Sequence, residues 1–364
     1  AIRPDPDTVE ALRKLKDPNG IPALELAHLR LKGERAEEMK EVIEFFYAYQ
    51  EFIGGPRANI PYWGDSGWEL GAIRSFEEPV PIEVDRYGDI YMADIGNHRV
   101  QKFNREGAAQ RQWGADAGIT SEWFTSGRTF YVSGATPGDG AGDFQTPLDV
   151  ELIPGKETDG FAVLDARGRL QIFDGEGNLV IGWNVEFDSS VDPAVGGEGY
   201  LAYMPKKKRI YAILGRDFVG YTLEGDEVAR AVLADGTPNA VELMPRGYFL
   251  MVYGREVIRY DLDGFRYGVV MGEDDLGIGF EDMDLTVDED GRIWALTDQG
   301  WAMKFKKPGK LEYKVRFSEI DLVHPRIAVQ EEYIYCVDRD RVVRLDARQA
   351  LLDAQAAELA AEGN

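Results

Sequence analysis

Val80-Pro81-Ile82-Glu83-Val84-Asp85, Arg86-Tyr87-Gly88, Asp89-Ile90-Tyr91-Met92-Ala93-Asp94 spells a short apolar strand, a turn and an apolar–aromatic strand. The same phrase returns along the chain. Its copies run from Pro147 to Asp165, Gly199 to Ile213, Pro238 to Val252, Met283 to Leu296 and Pro325 to Asp338. A recurrence at about 40 to 50 residues marks a propeller or solenoid built from one supersecondary unit. Each copy leads into a third strand: Arg99–Phe103, Arg169–Phe173, Phe218–Tyr221, Glu256–Tyr260, Trp301–Phe305 and Arg341–Leu345. A fourth usually follows, as in Ala109–Trp113. The pattern predicts an all-β chain, a six-bladed β-propeller of four-stranded antiparallel blades over residues 61–346.

The sixth copy stops after three strands. An open propeller edge invites pairing with another chain, so a strand from elsewhere has to complete it. Residues 68–74, Trp68-Glu69-Leu70-Gly71-Ala72-Ile73-Arg74, carry a suitable pattern and are expected to close the ring. On either side the composition turns helical. Residues 1–60 form an N-terminal extension with two expected helices over 5–54, ended by Gly54-Gly55-Pro56. Residues 347–364, rich in Ala, Leu and Glu, predict a short C-terminal helical tail.

The charge balance excludes one class of partner. Sixty-five acidic residues against 41 basic ones leave a net charge of −24, and such a chain lacks the electrostatic drive for binding nucleic acid. Lys206-Lys207-Lys208-Arg209 reads as a solvated hairpin tip. There is no apolar run of about 18 residues, so no transmembrane helix is expected. Opening at Ala1-Ile2-Arg3 without a Met, the chain reads as processed for export, periplasmic or extracellular. The lone Cys336 reads as a buried strand residue.

Two segments resemble NHL-repeat propellers. Asp94-Ile95-Gly96-Asn97-His98-Arg99-Val100-Gln101-Lys102-Phe103 is similar to that family's turn-and-strand signature. Gly138-Asp139-Gly140-Ala141-Gly142-Asp143-Phe144-Gln145-Thr146-Pro147 is similar to its blade opening. The resemblance implies architecture first, because NHL-repeat proteins include protein-interaction modules, RNA binders and some enzymes, among them peptidyl-hydroxyglycine lyases. The metal-dependent lyases of that family place several histidines round the channel; this sequence has His28, His98 and His324.

Candidate sites follow from the alignment of the phrases. Glu198, Asp282 and His324 fall at the entry to the innermost strand, near the channel mouth, with Asp149, Tyr200, Asp284 and Arg326 one step further in. A ring mixing His, Arg and carboxylates suits either a metal or polar-substrate site or a water-filled channel with paired charges. Residues 115–142 form a long connection carrying Trp123, Phe124, Phe130 and Tyr131, which pack locally or contact a partner or ligand. Residues 272–282 hold five carboxylates in eleven positions; Asp274, Asp275 and Asp282 are candidate Ca²⁺ ligands, with a solvated acidic loop as the alternative. His98, in the signature turn, is expected to make a structural hydrogen bond. Three functions stay open: a non-catalytic assembly subunit contacting other proteins through the propeller, a metal-assisted lyase or hydrolase at the channel mouth, and a glycan-binding protein using the aromatic connection.

Overall fold

Middle strands buried on both faces and outer strands that alternate give the molecule its order. The computed structural model describes residues 62–63, 73, 80–114, 137–187 apart from 157, and 199–352 apart from 277–279, 318, 319, 321, 323, 339 and 340. The helices expected over 5–54 and most of the 115–142 connection lie outside the described residues.

Six four-stranded antiparallel sheets make up the propeller. Blade one comprises Ile82–Val84, Ile90–Asp94, Arg99–Phe103 and Ala109–Trp113, from the axis outward. Blade two follows with Pro147–Ile153, Gly160–Asp165, Arg169–Phe173 and Leu179–Asn184, and blade three with Gly199–Met204, Arg209–Leu214, Asp217–Thr222 and Glu227–Val232. Blade four is Ala240–Met244, Tyr248–Tyr253, Glu256–Tyr260 and Arg266–Met271; blade five is Met283–Val287, Ile293–Thr297, Trp301–Lys307 and Lys310–Arg316. Blade six supplies Ile327–Gln330, Tyr333–Asp338 and Arg341–Asp346. Each innermost strand packs against its neighbours on both sides, and that of blade six returns to that of blade one. The ring is closed.

The clasp differs from the expected one. Tyr62–Trp63, upstream of residues 68–74, is the fourth strand of blade six, with Tyr62 opposite Val343 and Trp63 opposite Val342. Within 68–74 only Ile73 is described; it is fully buried, in the core between blades six and one. After the last strand, residues 347–352 begin the C-terminal helix.

Burial explains the apolar runs that revealed the repeat. Every residue of Ile90–Asp94 and of Gly160–Asp165 is buried, as expected for strands covered on both faces. The outermost strand Leu179–Asn184 alternates half-buried with exposed positions instead. The core lies between blades. Trp113, Phe144, Phe161 and Phe173 join blades one and two, with the Phe161 and Phe173 rings stacked at 4.7 Å. Between blades five and six, buried Lys304 donates to Glu332 at 2.6 Å and lies 4.4 Å over the Trp294 ring.

One turn design recurs at the hairpins. A side-chain oxygen of Asp85, Asn104, Asp165, Thr222, Asp261 or Asp288 accepts the backbone N–H groups two and four residues on. A glycine with positive φ stands three residues after each: Gly88, Gly107, Gly168, Gly225, Gly264 and Gly291. The side chain stands in for a backbone acceptor, and the glycine takes the left-handed conformation. The two NHL-like segments are structural in the same sense. His98 sits at φ 53° and its Nδ1 accepts the Thr146 N–H at 3.0 Å, tying blade one to blade two. Asp94 and Arg99, both fully buried, pair at 2.8 Å. Cys336 is buried too.

The turns give a comparative prediction. An added Cβ at Gly264 (φ 79°) would stand 2.5 Å from Ala231 Cβ, whereas at Gly291 (φ 75°) nothing lies within 4 Å. Gly291→Ala is expected to lose only the left-handed backbone preference, about 1–2 kcal/mol. Gly264→Ala adds overpacking and is expected to lose about 2–4 kcal/mol. Urea denaturation of the two variants checks the difference.

Candidate functional site

The innermost strand of a blade is also the edge of its sheet, so half of its N–H groups find no partner in the ladder. In this channel, carboxylates from the preceding blade accept some of them. Asp149 Oδ2 accepts the Leu201 N–H at 2.6 Å, Glu151 Oε1 the Tyr203 N–H at 3.0 Å, and Asp284 Oδ2 the Ile327 N–H at 2.7 Å. The first two bonds join blades two and three; the third joins blades five and six, across the ring.

Asp149, Tyr200, Asp284 and Arg326, which the alignment of the phrases sets one step in from the mouth, lie near one another in the channel. Arg326 crosses the channel: from blade six its guanidinium carbon stands 4.0 Å from the centre of the Tyr200 ring of blade three. The Tyr200 hydroxyl donates to the Pro238 carbonyl at 3.1 Å, which fixes the ring. Asp149 and Asp284 are both within electrostatic reach of Arg326. Burial pushes Asp149 up to about 6 and Asp284 up to about 7, with Arg326 and backbone N–H groups pulling the other way.

A second layer lies two residues deeper and was missed by sequence reasoning. Glu83, Glu151 and Glu242 line a 150 Å³ cavity together with Asp149, Asp284 and Arg326. Glu83 and Thr286 also line a second cavity of 190 Å³ that continues towards the other end of the channel. Burial holds all three glutamates well above the ordinary carboxylate range, reinforced by their mutual repulsion and that of the aspartates. Glu151 has the Tyr203 N–H, and Glu83 the N–H of Val84. Among the described residues, no hydrogen bond offsets the burial of Glu242. The signal was present in the phrase itself, as a Glu at the same strand position in three blades.

At the mouth, His324 and Asp282 meet. His324 Nδ1 lies 2.8 Å from Asp282 Oδ2, while Asp282 Oδ1 accepts the Met283 N–H at 2.9 Å. The His324 side chain is 46% exposed and that of Asp282 12%. The imidazole therefore faces the opening and the carboxylate anchors it.

Of the candidate Ca²⁺ residues, Asp275 and Asp282 are engaged separately. Residues Glu273–Leu276 form a single helical turn in which Asp275 accepts the Gly272 N–H at 3.0 Å. Asp282 is engaged by His324 and Met283. Among the described residues, no three His, Cys, Asp or Glu side chains stand together closely enough to hold a metal. The side chain of Asp274, and Glu198, Trp123, Phe124, Phe130 and Tyr131, lie outside the described residues. No described helix is long and apolar enough to cross a membrane.

No family model matches the chain, and no curated protein does. Among solved structures, it is similar to a catalytically inactive virginiamycin B lyase from Staphylococcus aureus with quinupristin, at 11% identity and a TM-score of 0.49, over 79% of this chain and 86% of that one. It is similar to a streptogramin B lyase at 9% identity and a TM-score of 0.47, over 78% and 97%. A luciferin-regenerating enzyme gives 10% and 0.48, over 78% and 94%.

The channel carboxylates predict a pH dependence. A carboxyl that keeps its proton to higher pH when folded gives stability at low pH that is lost as pH rises through its folded value. Stability is therefore expected to fall as pH rises from about 4, the ordinary Asp value, to the folded values of about 6 for Asp149 and about 7 for Asp284, and to level off above them. Glu242→Gln removes one such charge without changing shape. It is expected to raise the melting temperature by a few degrees at pH 8 and leave it unchanged at pH 4, as read by differential scanning calorimetry at the two pH values.

Proposed function

We propose that the protein is an enzyme of the hydrolase or lyase kind, acting on a small polar molecule at the channel mouth, with His324 and Asp282 as its proton-transfer pair. The observation that carries this reading is the 2.8 Å contact between His324 Nδ1 and Asp282 Oδ2, in a pair whose carboxylate is fixed and whose imidazole is open to solvent. With Nδ1–H donating to the carboxylate, the neutral ring keeps its lone pair on Nε2, the atom free to take a proton from a substrate or a water. Asp282 orients the ring and stabilises the imidazolium once that proton has moved. The two residues enter from the starts of adjacent inner strands, where a propeller presents its binding surface.

The Arg326 guanidinium is committed inside the channel, beside Asp149, Asp284 and Tyr200. Five carboxylates round one arginine make the cavity below the mouth unfavourable for anions and favourable for neutral or cationic molecules. The assembly and glycan readings rest on the helices expected over 5–54 and on the aromatic connection, which lie outside the described residues. The resemblance to NHL repeats supports an architecture in which either binding or catalysis is at home.

The test is a panel of chromogenic esters and lactones with the full chain. His324→Gln is expected to lower kcat/KM by about 100-fold or more and Asp282→Asn by roughly 10-fold, in line with positioned general-base catalysis. Equal rates for wild type and His324→Gln across the panel would sink the proposal.

A further inference from the structure

The channel holds a guanidinium receptor that the protein fills with its own side chain. Arg326 lies face-on to Tyr200 at 4.0 Å, between the carboxylates of Asp149 and Asp284, and only 8% of it is exposed. An aromatic face flanked by two carboxylates is the chemistry that recognises guanidinium and ammonium groups. The side chain that fills it is a single long one, rooted at the edge of the mouth two residues from His324.

The charge beneath it is unbalanced. Asp149, Glu151 and Asp284 each grip a backbone N–H of the next blade and so serve the ring. Glu83 and Glu242, both half-buried, grip no neighbouring strand, and no hydrogen bond engages Glu242 among the described residues. Arg326 brings one positive charge to a cavity lined by five carboxylates. Glu242 is half-buried and faces the channel with neither donor nor counter-ion among the described residues, so the fold gives it no structural partner there. The side chains do not gather in threes at metal-ligating spacing among the described residues; the chemistry they suit is a charged group that is larger and hydrogen-bond-rich.

We propose that the channel binds a small organic cation, one end of which, a guanidinium or ammonium, takes the place of Arg326 against Asp149, Asp284 and Tyr200 while the rest extends towards Glu83 and Glu242. Exchanging one guanidinium for another keeps a cation over the ring and beside both aspartates. The displaced Arg326 swings towards the mouth, and the second positive group of the ligand meets the deeper glutamates. Arg326 is a latch that keeps the site shut until a cation competes for it. The inference rests on the mouth being the ligand's entrance and does not depend on proton transfer by His324.

Agmatine, with a guanidinium at one end and an ammonium at the other, is the probe, titrated calorimetrically into the full chain at pH 7.5. Arg326→Met keeps the stem and vacates the receptor; it is expected to bind agmatine at least tenfold more tightly than wild type. Asp149→Asn with Asp284→Asn, and separately Glu242→Gln, are each expected to weaken binding to wild type at least fivefold. Saturable binding with that order of affinities supports the receptor. Binding to neither wild type nor Arg326→Met, or equal binding to both, overturns it. If Arg326→Met does not fold, the wild-type and Glu242→Gln titrations decide: no saturable binding to wild type, or no weakening in the variant, overturns the inference. Failure here with a large His324→Gln effect in the ester panel would leave the proton-transfer reading standing, and the reverse result would leave the receptor standing.

Discussion

Neighbouring inner strands of a propeller share no backbone ladder, and the N–H groups on their free edges have to be satisfied by something else. Here carboxylates do it: Asp149 on Leu201, Glu151 on Tyr203, Asp284 on Ile327. A hydrogen bond to an ionised group is roughly twice as strong as a neutral one, which offsets part of the cost of placing acids in the middle of a folded molecule. The ring and the chemistry of its channel are thus one problem. The groups that hold blade to blade also set the field into which any ligand comes, and that field is negative.

The same reasoning separates the acids that the fold needs from those it does not. At the hairpins, Asp85, Asp165, Asp261 and Asp288 close turns by accepting two N–H groups each. Part of the large negative charge is therefore architectural, spent at turn corners. His324 with Asp282 at the mouth and Glu242 in the depth stand outside both uses. Neither closes a turn, and neither accepts a backbone N–H of the next blade's inner strand.

Much of this was readable in the residues. Apolar runs recurring with a fixed phrase showed six blades, and aligning the phrases set Asp149, Tyr200, Asp284 and Arg326 side by side because equivalent strand positions share a height along the axis. The reading ended where spacing carries no information. Nothing in the order of residues says that Arg326 reaches across to the opposite blade, since that depends on the width of the channel. The clasp was misplaced because a two-residue strand, Tyr62–Trp63, has no periodicity, while the longer run from Trp68 has an attractive one. The glutamate layer was overlooked although Glu83, Glu151 and Glu242 occupy the same place in their phrases. Attention to the entry of the strand hid the position two residues further in.

The two-residue clasp has a consequence for how the protein comes into being. Tyr62 and Trp63 leave the ribosome long before Val342 and Val343, the residues they pair with. Blades one to five can form as they emerge, since each is contiguous in the chain, but the sixth must wait for translation to reach its last strands. Until then the nascent molecule is an open arc, with the inner strand of blade one and its buried face against blade six uncovered. Final closure is a single long-range event late in synthesis, and only then does Arg326 of blade six reach the acids of the other blades.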